Sequence, residues 1–173
     1  MSCPKPPAKA KLVIGLFLKD MGLVDSVAHK LANRFGPIDI VSSWFAFDYT
    51  SYYEREMGAP LFRRMFAFKE LTEQTDLAGI KLETNALEIE YSQENKRRIN
   101  LDPGYMLRER FVLATGKNFS HRIYIGSGIY ADLTLVYAKR AFQMLPWTYP
   151  DYAQENMLEF LKTVRKKYVA DIT

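Results

Sequence analysis

The chain has 173 residues, of which 48% are hydrophobic and 25% charged, a balance that is globular rather than disordered and gives one domain enough apolar surface for a core. One cysteine, Cys3, and two histidines, His29 and His121, exclude both an internal disulfide and a closed four-ligand zinc site within one chain. The net charge of +4 tolerates phosphate or nucleic acid as a partner without demanding either.

Residues 1–10 read as a flexible lead with Pro4, Pro6 and Pro7, ahead of a single domain over residues 11–173. The lead has no apolar stretch of the kind a secretory signal carries, and the run at residues 12–18 is far shorter than the ~20 residues of a membrane span. The expected location is the cytoplasm, with no membrane partner.

Residues 11–18 form a continuous apolar run of buried-strand length. Leu23, Val24, Val27, Ala28, Leu31, Ala32 and Phe35 then recur at helical spacing, and Gly36-Pro37 stops that helix. His29 falls out of phase with the stripe and reads as solvated. Residues 38–46 return as a second strand and residues 61–68 as a third. Leu77, Ile80, Thr84, Leu87 and Tyr91 mark a second helix, and residues 97–101 a fourth strand. The order β-α-β-β-α-β predicts an α+β fold with a ferredoxin-like split β-α-β core.

Residues 105–115 fit two periods. Leu107, Phe111 and Ala114 predict a helix closed by Gly116; Leu107, Glu109, Phe111 and Leu113 also allow a strand with one misplaced charge. Residues 121–125 and 129–137 flank Gly126-Ser127-Gly128 and predict a hairpin whose paired positions sum to 254. Arg122 then faces Asp132, Tyr124 faces Tyr130, and Ile125 faces Ile129, with His121, Ile123, Ala131 and Leu133 on the apolar side. A short strand near residues 141–145 extends this meander. Asp151 is the expected cap of a last helix, whose buried stripe is Met157, Leu161, Val164 and Tyr168.

No phosphate-cradling P-loop, dinucleotide fingerprint, nucleophile elbow or metalloprotease motif is present. Three polar clusters remain. In residues 47–58, Asp48, Tyr49, Tyr52, Tyr53 and Glu54 crowd one loop; tyrosines there either close the core edge or stack on a ligand ring. In residues 98–105, Asn100 and Asp102 share one strand face ahead of Asp-Pro-Gly, either as ordinary turn chemistry or as a hold for a hard cation or a ligand hydroxyl. His121 and Arg122 open the hairpin, either as structural partners or as an acid, base or anion donor.

FDYTSYYEREMG, RINLDPGY, HRIYIGSGIYADLTLVY and LPWTYPDY, with KPPAKAKLVIGL and RFGPID, resemble the bacterial family called domain of unknown function 4416 over nearly the whole chain. The resemblance implies no activity or catalytic residue, because that family has none assigned.

The reading carried forward is a small-molecule-binding protein for a nucleotide or another anion, with metal-assisted hydrolysis as its simplest chemistry if it is an enzyme. His121 and Asp102 are the catalytic candidates. Asp48, Tyr49, Tyr52, Asn100, Tyr105 and Arg122 are the ligand-binding ones. Asp48 and Asp102 would hold a divalent cation such as Mg²⁺. The alternative is a protein-interaction or RNA-binding regulatory module without catalysis.

Overall fold

A computed structural model describes all 173 residues. The apolar run becomes β1 (Ala10–Leu18), in which all nine residues are buried. Helix α1 (Val24–Phe35) follows, then β2 (Ile38–Val41) and β3 (Phe45–Phe47). The short helix α2 (Glu54–Met57), β4 (Leu61–Thr72), α3 (Leu77–Glu90) and β5 (Ile99–Met106) come next. The meander is β6 (Arg110–Thr115), β7 (Arg122–Gly126), β8 (Ile129–Ala138) and β9 (Ala141–Met144), and α4 (Glu155–Asp171) closes the chain.

The nine strands make one antiparallel sheet in the order β2-β4-β1-β5-β6-β8-β7, with β3 against β4 and β9 against β8. The stretch β2-β4-β1-β5 places the fourth strand of the split unit beside the first and the second strand outermost, so the fold is α+β, as the element order predicts.

Alternation along β1 divides the core. Leu12, Ile14, Leu16 and Leu18 pack with Val27 and Leu31 of α1 and Ile80 and Leu87 of α3. Val13, Met65 and Phe111 face the other way, toward Met157, Leu161, Val164 and Tyr168 of α4. No helix is long and apolar enough to cross a membrane.

Several expectations are corrected. Residues 105–115 are not a helix: β5 runs to Met106, Leu107 donates to the Arg110 carbonyl, and β6 follows. Phe111–Ala114 of β6 are all buried, so both of its faces are covered and its apolar run hides the two-residue period. Residues 38–46 break into two strands at Ser42, whose hydroxyl accepts from the Met65 N–H. α4 begins after Gln154, not Asp151, which pairs with Arg63 instead.

The hairpin keeps Arg122 opposite Asp132, Ile123 opposite Ala131 and Tyr124 opposite Tyr130. A bulge then sets Gly126, not Ile125, against Ile129. Its faces do not divide as expected: Ile125, Ala131 and Leu133 pack against the core, but Ile123 and Tyr124 are both exposed. β7 is the edge strand, and Ile123 is 68% exposed there, while the Arg122–Asp132 pair is buried.

Candidate functional site

The site begins with Pro103 and Gly104, which lie inside β5 rather than in a turn. Proline has no N–H to offer a neighbouring strand. β5 accordingly pairs with β6 only over Gly104–Met106, and its first half stands apart from β6. At Gly104 the approach is so close that a Cβ would lie 2.4 Å from the Val112 carbonyl oxygen.

Where the strands part, α3 completes the hydrogen bonding. Lys81 donates to the Leu101 carbonyl at 2.8 Å, and the Leu101 N–H donates to Glu88 at 2.7 Å. Both side chains belong to buried residues, and burial raises the Glu88 pKa against the pull of Lys81.

The opening is a cleft of about 640 Å³. Phe17, Phe47 and Arg63 lie at its base, Asn100 and Asp102 come from β5, and Thr115, Gly116 and Lys117 from the end of β6. Tyr49, Tyr52 and Tyr53 line it from the loop after β3, and Tyr149–Tyr152 from the segment before α4.

Arg63 is 2% exposed and sits over the rings of Phe17, Phe47 and Tyr152. It donates to Asp102 at 2.8 Å and pairs with Asp151. The other Asp102 oxygen accepts from Asn100 at 3.0 Å, and Asn100 accepts from Arg97 at 2.9 Å. Arg97 holds Glu56 through Nε and Nη2, both at 2.8 Å, which lowers the Glu56 pKa. The base of the cleft is one continuous chain of bonds in which Arg63 and Arg97 are shared among Asp102, Asp151 and Glu56. Arg63 Nε and the Tyr152 hydroxyl are buried beside it without a partner. Burial pushes Tyr53 up to about 12 and raises Tyr152.

A second chain of bonds stands behind the Tyr149 wall. Asp132, 1% exposed, accepts from Arg122 at 2.9 Å and lies 3.3 Å from His121 Nε2. The His121 ring stacks on Trp147 at 4.8 Å. Arg122 also donates to the Tyr149 hydroxyl.

Of the expected site residues, Tyr49, Tyr52, Asn100 and Asp102 line the cleft together. His121 and Arg122 stand behind it and reach it through Asp132 and Tyr149. Tyr105 is buried in the core, on the opposite strand face from Asn100 and Asp102. Asp48 is exposed and outside the cleft, because alternation in β3 buries Phe45 and Phe47 and turns the next residue out. Asp48 and Asp102 therefore do not share a site, and no group of three or more His, Cys, Asp or Glu is placed to hold a metal ion.

Sequence reasoning missed Arg63, Lys81, Glu88, Arg97, Lys117 and Tyr149. A signal existed for three. Arg63 shares a strand face with Leu61 and Met65, and Lys81 and Glu88 flank the apolar stripe of α3.

The family model described as domain of unknown function (DUF4416) matches residues 8–168. The chain belongs to this family. The family match takes in every residue of the cleft. No curated protein and no solved structure matches the chain.

Proposed function

We propose that the cleft of this DUF4416 protein binds a small organic anion carrying a flat ring, a class that includes mononucleotides. Its volume of about 640 Å³ falls within the roughly 300–1,000 Å³ of small-ligand sites. Tyrosines from two separate segments line it, and their flat faces suit a ring. The single observation that carries the reading is Lys117. The other cleft cations, Arg63, Lys81 and Arg97, are engaged by carboxylates or a backbone carbonyl. Lys117 is exposed at the mouth, 4.4 Å over the Tyr52 ring, with no acidic partner. A ligand that stacks on Tyr52 brings its own anion to that ammonium. The single cysteine and the lack of a disulfide fit a cytoplasmic setting for this binding.

Thermal-shift titration with phenyl phosphate, benzoate and mononucleotides tests the reading. The expected result is a saturable rise in Tm for the wild type that Lys117→Glu removes. Unliganded Tm should be unchanged, since Lys117 is exposed. No shift from any compound, or an equal shift in Lys117→Glu, would overturn it.

A second reading rests on β7. Phe119, Ile123 and Tyr124 are each more than half exposed beside the free edge of the sheet, a surface suited to contact with a protein. Ile123→Lys would abolish such contact and leave small-ligand binding intact.

A further inference from the structure

Two tyrosine hydroxyls reach the cleft with a cation behind each. Arg122 Nη2 donates to the Tyr149 oxygen, and Lys117 Nζ lies 3.4 Å from the Tyr52 oxygen. Neither arginine nor lysine can accept a hydrogen bond, so in both pairs the phenolic oxygen is the acceptor. The phenolic protons remain, and no protein acceptor takes either one. Tyr149 is 40% exposed and lines the cleft, so its proton is available to a bound molecule.

Arg122 is fixed more firmly than a surface arginine needs to be. It donates through Nε to buried Asp132 at 2.9 Å and through Nη1 to the Lys117 carbonyl at 2.9 Å. Asp132 is steadied by Thr134 at 3.4 Å and by His121, whose ring lies on Trp147. Trp147 is pinned in turn by its bond to the Leu133 carbonyl at 2.8 Å. The whole arrangement ends on one oxygen, that of Tyr149. By contrast, Asp102, the lining carboxylate most open to the cleft, is already bonded to Arg63 and Asn100. The cleft therefore offers donors backed by positive charge, which suits an acceptor with negative charge.

We infer that Tyr149 is the hydroxyl that reads the ligand, that Arg122 is its positioning residue, and that the group read is an oxyanion attached to the ring. This rests on the ring-anion reading of the cleft and names the group that reading leaves open. Phosphate and carboxylate share the chemistry, and two probes separate them.

Calorimetric titration of the folded protein with phenyl phosphate and with benzoate, alongside chemical-shift mapping, tests the inference. Tyr149→Phe should weaken the better probe about tenfold, the loss of one hydrogen bond to a charged group. Arg122→Lys should weaken it severalfold in the wild-type background and have no further effect on Tyr149→Phe, because it acts through that hydroxyl. A probe that perturbs Tyr52 and Lys117 yet binds Tyr149→Phe as tightly as wild type would overturn the inference and leave the cleft reading standing. Additive effects of the two substitutions would remove Arg122 from its positioning role. If neither probe binds the wild type, the cleft reading itself fails and the inference falls with it.

Discussion

Lys81 and Glu88, two turns apart on α3, close on the same residue of β5, the ammonium on the Leu101 carbonyl and the carboxylate on its N–H. A helix here supplies what a paired strand would otherwise supply, and that substitution keeps the cleft open. Unpaired buried backbone groups cost about 1–3 kcal/mol each.

Glu88→Ala should therefore destabilise the protein by about 2 kcal/mol in urea unfolding. The same residue gives a pH signature. Burial raises its native pKa, so the folded state holds the proton more tightly than the unfolded state. Its contribution is fully present below the unfolded-state value and is lost as pH rises through the raised native one. Glu88→Gln keeps an acceptor for the Leu101 N–H and should flatten that fall. An unchanged pH profile in Glu88→Gln would contradict the assignment.

Gly104→Ala tests the close approach of β5 and β6. A Cβ there would meet the Val112 carbonyl oxygen at 2.4 Å and Leu113 Cδ2 at 2.9 Å, so backbone must move. The expected cost is about 3 kcal/mol, at the upper end for overpacking. A loss below about 0.5 kcal/mol, the range of an ordinary surface change, would mean that the two strands do not meet in this register.

Arg63→Met removes the one cation between Asp102 and Asp151 while keeping an apolar stem against Phe17, Phe47 and Tyr152. Leaving two carboxylates together should cost about 2–3 kcal/mol near neutral pH, less than for a fully buried pair because Asp102 is partly open to solvent. The loss should shrink in acid as the carboxylates take up protons. Equal destabilisation across the pH range would show that packing, not charge, sets the effect.

Much of the fold was legible because its elements carry clean periods. The stripe Met157, Leu161, Val164 and Tyr168 marks α4, and all four are buried. The alternation around Gly126-Ser127-Gly128 places Arg122 against Asp132. Legibility failed where tertiary context reversed a local rule. Asp-Pro-Gly reads as a turn, yet Pro103 sits at the point where β6 leaves β5, and its missing N–H is what that point requires. In the hairpin, pairing was readable but burial was not, because alternation cannot say which face of an edge strand the rest of the chain covers. Asn100 and Asp102 were expected to close a strand. They open β5 instead, and so lie at the same end of the sheet as the tyrosine loop after β3. The carboxylate that His121 contacts is Asp132, and sequence spacing alone does not choose it over Asp102.

The most direct measurement is amide chemical-shift mapping of the wild-type protein titrated with phenyl phosphate. The expected result is saturable change confined to residues 49–53, 100–102, 115–117 and 149–152, the segments that the cleft brings together. Saturable change centred elsewhere, such as on β7, or no change at millimolar probe, would contradict a ligand site in this cleft.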